Sequence, residues 1–221
     1  MSEHTDIDRI ERDMEEFLAA GDGDLFRIGH RVVTARLCGG MALRFVGPSG
    51  AGKSTLMRAI ASIVPENERI GADAMTPKAL FRLPSDDEGN IDLGGMLLVR
   101  DERERDERDH KLVRTLLAEG RATDLRVDGM VTRTVSVLGP ISVLETAVEP
   151  ESNIEDDSRF LIVPSRAGAE RRNSLNRIAL MRESGGTGQQ SERLLARLRD
   201  HQASLPRDRA VNAAILSEVW A

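Results

Sequence analysis

Eight consecutive residues, Gly47-Pro48-Ser49-Gly50-Ala51-Gly52-Lys53-Ser54, fit the spacing G-x-x-x-x-G-K-[ST]. The chemistry that uses this spacing is the grip on a nucleoside triphosphate. Glycines let the backbone curl so that successive N–H groups point at phosphate oxygens. A helix beginning near Lys53 would add its positive end. Lys53 would reach the β and γ phosphates and the Ser54 hydroxyl would bind Mg2+, with Thr55 in the same contact set. The loop points to ATP and magnesium as ligands. The alternative, a chance glycine turn ahead of a helix, does not require a lysine and a serine in this order.

Such a loop needs a second magnesium anchor, an acid at the end of a neighbouring apolar strand. The run Met96-Leu97-Leu98-Val99-Arg100-Asp101-Glu102 supplies one. Asp101 would hold the metal, through water, and Glu102 would polarise the water that attacks the γ-phosphate. The two acids could exchange these roles. The competing reading is that both merely begin the charged run Arg100–His110, a solvated face laced with ion pairs.

Other chemistry-bearing types are sparse. His4, His30, His110 and His201 show no paired metal spacing and read as surface residues. The single cysteine, Cys38, excludes a disulfide scaffold and a cysteine-based zinc site, and sets a reducing, cytoplasmic location as the default. Ser184-Gly185-Gly186-Thr187-Gly188-Gln189 superficially resembles a transporter-ATPase signature. No apolar strand ending in acids follows it, so it reads as a flexible break. Trp220 reads as a packing anchor.

The elements that must position these residues follow from periodicity. Met41–Val46 reads as a buried strand with one polar member, Arg44, and Ser54–Val64 as the helix after the loop. Before them lie an acidic amphipathic helix over residues 5–20 and a second helix carrying Leu25, Phe26, Val32, Val33 and Leu37, ended by Gly39-Gly40. Residues 65–94 are loop-rich. Leu112, Val113, Leu116 and Leu117 continue a helix that Gly120 ends. Asp128-Gly129 between Asp124–Val127 and Met130–Val137 is a hairpin signal. Ile141–Val148 and Phe160–Val163 are further strands, residues 167–183 read as helical, and two terminal helices follow, the first over Leu194–Gln202.

Composition narrows the classes. The chain has 221 residues, 40% hydrophobic and 31% charged, enough for one domain with appendages. No run of about 18 apolar residues exists, so no membrane span is expected. Aromatics are 3%, with no Tyr, which argues against a stacking platform for single strands. A net charge of −6 confines any nucleic-acid contact to a local patch. Lysine occurs only at Lys53, Lys78 and Lys111, against 31 basic residues in all, so the lysine of the loop stands out.

Across roughly residues 25–180 the chain resembles the helicase-like P-loop ATPase domain of phage and plasmid replication proteins, often joined to a zinc-finger primase half. Ordered blocks carry the resemblance. Leu25–Leu37 leads into the loop strand, and Met75-Thr76-Pro77-Lys78-Ala79-Leu80-Phe81 resembles a T-x-x-A-L block. Leu97–Glu102 is the acidic strand, and Lys111–Arg121 resembles an L-R-x-L-x-S-x-G-R block. Gly139-Pro140-Ile141 begins a strand ending at Thr146, and Asn153–Arg159 resembles an E-N-x-S-R block. The chain departs where Glu145-Thr146-Ala147 replaces a threonine pair, and it lacks the zinc-finger and primase parts.

The resemblance implies a ring of identical subunits associated with single-stranded DNA or a replication partner protein. It places Thr146 beside the γ-phosphate as its sensor. It makes Arg159 a candidate arginine reaching into the neighbouring subunit's site. The Asp128-Gly129 hairpin falls where such rings project a pore hairpin, and Arg121, Arg126 and Arg133 could touch phosphates there. An ordinary strand residue, a surface ion pair and a solvated hairpin are the corresponding plain alternatives.

Two other function classes fit in part. The loop also looks like that of guanylate kinases, which would make the chain a nucleoside monophosphate kinase, but that region needs Tyr. An ATP-binding regulatory protein with little turnover is the other. The fold expected is α/β, a P-loop NTPase with a central, mostly parallel sheet flanked by helices, plus a β-hairpin and a helical C-terminal tail. The division expected is an N-terminal helix over 1–22, the ATPase domain over 23–183, and a flexible break with helical tail over 184–221.

Overall fold

Every residue of Ala42–Val46 is buried, as a strand must be when sheet neighbours flank it and helices cover both faces. The computed structural model describes residues 23–71, 79–101, 107–128, 130–148, 159–165 and 188–206. The expected helices over 5–20 and 167–183, the break at 184–187 and the second terminal helix lie outside these residues. So do His4, Trp220, and residues 75–78 and 153–158 of the family-like blocks.

The strands are β1 (Ala42–Val46), β2 (Arg69–Gly71), β3 (Asn90–Asp92), β4 (Met96–Arg100), β5 (Arg121–Asp128), β6 (Val131–Leu138), β7 (Ile141–Ala147) and β8 (Phe160–Pro164). The helices are α1 (Gly23–Ala35), α2 (Lys53–Ala61), α3 (Glu107–Glu119) and α4 (Gly188–Ser204). Among its described residues the loop-rich stretch 65–94 thus holds two short strands, β2 and β3, and two 3-10 turns, Glu66–Glu68 and Leu80–Arg82. Strands of three residues are too short to show a period of two.

Five strands form one sheet in the order β2-β4-β7-β1-β8, and every pairing in it is parallel. Handedness decides which face each connection covers. From β1 the chain crosses to the far edge at β2, and α2 lies on one face. From β4 it returns towards β1, so α3 must lie on the other. The core divides accordingly. Leu43, Phe45, Leu97, Leu144 and Val163 pack with α1, α2 and α4. Ala42, Leu98, Ile141 and Val143 pack with α3 and a second sheet of order β3-β6-β5. Within that second sheet β5 and β6 are antiparallel, pairing Arg126 with Arg133 and Asp128 with Val131, so the hairpin stands where expected.

Helix α4 shares the core of the nucleotide-loop half, burying Leu194 and Leu198. It begins at Gly188 itself, which the sequence assigns to the break. Its buried Gln202 reaches three partners. Nε2 lies 3.2 Å from His30 Nε2 and donates to Thr34 Oγ1 at 2.7 Å. Arg36 donates to Gln202 Oε1 at 2.6 Å and to Glu68 Oε2 at 2.6 Å. His30 is therefore not a surface residue: it is buried beneath α4. A lone histidine on an otherwise apolar helix face gives no advance sign of a glutamine some 170 positions away.

A buried charged row crosses the sheet. Arg44, Glu145 and Arg100 are register neighbours on β1, β7 and β4. Glu145 Oε2 lies 3.6 Å from an Arg100 amino group. The Arg44 guanidinium also sits 4.1 Å from the centre of the Phe160 ring, a cation–π contact.

Candidate functional site

All five carboxyl ends of a parallel sheet open on one edge, the edge where ligands bind in such folds. The loop over residues 47–52 lies on that edge between β1 and α2. It is pinned to both neighbouring strand ends. Gly47 N–H donates to the Ala147 carbonyl at 3.1 Å, and Ser165 N–H donates to the Val46 carbonyl at 2.6 Å. A Cβ on Gly47 would stand 2.8 Å from the Ser165 carbonyl oxygen, so no side chain fits there. Gly52, the residue that caps α2, has φ +76°, in the left-handed region that glycine enters without strain. Pro48, Ser49 and Gly50 form the exposed crest.

Lys53 is the first residue of α2 and is 4% exposed. Its Nζ donates to the Gly47 carbonyl at 2.5 Å and to that of Pro48 at 3.0 Å. The ammonium group thus lies under the crest, held by the loop's own carbonyls. Ser54 follows on the side facing the sheet, and Thr55 points to solvent.

Three chain segments converge on one carboxylate. Asp101 directly follows β4, Thr146 is the penultimate residue of β7, and Ser54 lies in the first turn of α2. The Ser54 hydroxyl donates to Asp101 Oδ1 at 2.8 Å, and the Thr146 hydroxyl donates to the same oxygen at 2.9 Å. The strand order makes this possible: β7 separates β1 from β4, so a residue at its end stands between loop and acid. On the outer oxygen, Oδ2, Asp101 accepts a hydrogen bond from Arg58 at 3.0 Å.

The sequence singled out Lys53, Ser54, Asp101 and Thr146; the last three meet, and Lys53 lies under the loop on the carbonyls of Gly47 and Pro48. It missed Arg58, although the signal was present: positions 54 and 58 are four apart on one helix and share a face. Glu102 lies outside the described residues. Arg159 does not join the group. It precedes Phe160, whose register partner on β1 is Ala42, the first residue of that strand. Arg159 therefore stands at the amino edge of the sheet, a strand length of roughly 16 Å from the carboxyl edge at ~3.3 Å per residue.

The donor set suits a small hard cation beside a polyphosphate. A hydroxyl and a carboxylate offer oxygen to the metal, and Lys53 and the amino end of α2 offer positive charge to the phosphates. Among the described residues no cluster of three or more His, Cys, Asp or Glu forms a metal site made by protein alone, and magnesium held between protein and phosphate needs none. Among the same residues no helix is long and apolar enough to cross a membrane.

Residues 30–171 match the model of a family described as the MTBMA_p00010 P-loop domain. No curated protein matches the chain. The matched span contains β1 to β8 and every residue of the Ser54, Asp101, Thr146 cluster.

Proposed function

The chain belongs to the MTBMA_p00010 P-loop domain family, and from that premise we propose that it is a magnesium-dependent ATPase that assembles into a ring and acts with single-stranded DNA in replication. The observation that carries the ATPase part is the convergence of the Ser54 and Thr146 hydroxyls on Asp101, at 2.8 and 2.9 Å, beside the buried Lys53. Loop N–H groups bind the phosphates. Lys53 neutralises the β and γ oxygens, exchanging its loop carbonyls for them. Ser54 and Asp101 hold magnesium, which supplies charge neutralisation of the β and γ oxygens during transfer. Thr146, bonded to Asp101, senses the γ-phosphate in this reading. Glu102 orients the attacking water, and Arg159 of a neighbouring subunit completes the site.

Two features support the nucleic-acid part. The ordered blocks of the helicase-like resemblance are one. The other is the β5–β6 hairpin, which sets Arg126 against Arg133 on one face. Like charges placed opposite each other disfavour the pairing, and a phosphate between them would relieve it. Leu125, Val127 and Met130 near its tip are exposed.

The test is hydrolysis of ATP with magnesium, measured alone, with single-stranded DNA, and with nucleoside monophosphates. Stimulation by DNA with release of inorganic phosphate supports the reading. Phosphate transfer to a monophosphate makes the chain a kinase, and tight ATP binding without turnover makes it a regulatory binder.

A further inference from the structure

Arg58 and Ser54 lie one turn apart on α2, and both reach Asp101. The carboxylate is divided between them: Oδ1 takes the hydroxyls of Ser54 and Thr146, and Oδ2 takes the Arg58 guanidinium at 3.0 Å. The two partners differ in burial. The Arg58 side chain is 69% exposed and that of Asp101 24%. An exposed guanidinium on a long stem can swing into water at little cost, whereas Asp101 is anchored by hydroxyls from α2 and β7.

We propose that Arg58 is a tethered cation that competes with magnesium for Asp101, holding the acid when nucleotide is absent and yielding it when metal arrives with nucleotide. The inference rests on the reading of Ser54 and Asp101 as the magnesium pair. Two observations carry it. First, Arg58 occupies one oxygen of the same carboxylate that the metal would use. Second, a monovalent guanidinium and a divalent ion drawn to one carboxylate repel each other, and the exposed one of the two moves. Arg58 then sets a magnesium threshold: nucleotide without metal leaves the ion pair closed, and Arg58 releases Asp101 Oδ2 only above that threshold. Arg58 is a positioning residue here, acting through Asp101.

The experiment is equilibrium binding of a fluorescent ATP analogue, titrated with magnesium at fixed ionic strength. The proteins are the full chain, Arg58→Ala, Arg58→Lys, Asp101→Asn, and Asp101→Asn with Arg58→Ala. Exposed ion pairs are weak, so Arg58→Ala should lower the half-saturating magnesium concentration by roughly two- to fivefold. Arg58→Lys, which keeps the charge, should stay nearer the wild type. In the Asp101→Asn background the Arg58→Ala change should have no further effect. Raising the salt should shrink the difference between wild type and Arg58→Ala, because screening weakens the pair. An unchanged or higher magnesium requirement in Arg58→Ala overturns the proposal while leaving the magnesium reading intact. Nucleotide binding by the wild type that ignores magnesium overturns both, and is a separate result.

Discussion

Arg44 Nε donates to Glu145 Oε1 at 2.5 Å across the β1–β7 pairing, and both side chains are sealed from solvent. One position further along each chain lie Phe45 and Thr146, and Arg100 of the same row precedes Asp101. The charged row therefore underlies the strand ends that carry the site. Burying ions is expensive, and removing one member of a buried pair typically costs about 3–5 kcal/mol. Glu145→Ala should lower stability by about that much in urea unfolding, because it leaves two arginines buried together. Replacing Arg44 and Glu145 together by Met and Leu should recover much of the loss. Equal stability of Glu145→Ala and wild type would show that the row contributes nothing to the fold.

Lys53 supplies the charge beneath the loop crest. Lys53→Ala should weaken ATP binding by roughly 10- to 100-fold, the worth of one hydrogen bond to a charged group at about 1.5–3 kcal/mol. Turnover should fall to background. The folded state should persist, because the loop keeps its backbone bonds to Ala147 and to Pro48. Isothermal titration with ATP checks the first part and a phosphate-release assay the second.

The two acids should fail differently. On the proposed role of Asp101 as metal anchor, Asp101→Asn removes the charge for the metal, so nucleotide affinity should lose its magnesium dependence. Glu102→Gln keeps size and hydrogen bonding but cannot polarise water, so it should bind ATP normally and hydrolyse it poorly. If both variants turn over ATP at the wild-type rate, neither acid takes part and both belong to the solvated charged run.

Arg159 stands at the sheet edge opposite its own loop, so any service it gives must go to another subunit. An arginine supplied in that way is worth about 10³–10⁵ in rate. Arg159→Ala should bind ATP and not hydrolyse it. Mixing it with Lys53→Ala should restore part of the activity, since some interfaces would pair an intact loop with an intact arginine. Full activity of a strictly monomeric preparation would remove the need for a partner.

Gln202 should matter although it lies far from the loop. It bonds Thr34 and Arg36 in a buried setting, so Gln202→Leu would leave polar groups on α1 facing an apolar side chain. The expected loss is about 1–3 kcal/mol, read as a lower midpoint in denaturant. Replacing its exposed neighbour, Ala203→Ser, should leave the midpoint nearly where it is.

How much of this was legible beforehand depends on whether the signal is local. The loop, its flanking strand and helix, Asp101 and the β5–β6 hairpin all declare themselves over short stretches of chain, through glycine spacing, apolar runs and an Asp-Gly turn. Thr146 emerged only through the order of blocks in a resemblance, because one threonine in an apolar strand has no signature. The pairing of Arg58 with Asp101 and of His30 with Gln202 joins residues 43 and 172 positions apart. Such meetings are set by strand order and helix docking, which hydrophobic periodicity does not encode. Arg44 was visible as the polar member of an apolar strand, but its counter-ion lay on a strand formed much later in the chain.

That lateness has a consequence for synthesis. Strand β1 bonds only to β7 and β8 in its sheet, and β4 meets β1 solely through β7. Arg44 leaves the ribosome 101 positions ahead of Glu145. At about 5–20 residues per second, the nascent chain waits roughly 5–20 s with both edges of an apolar strand unprotected. Premature termination before residue 141 would yield a fragment with no keystone for its sheet, exposed to chaperones and proteases. Residues 141–164 thus decide whether the phosphate loop, made long before them, ever acquires a platform.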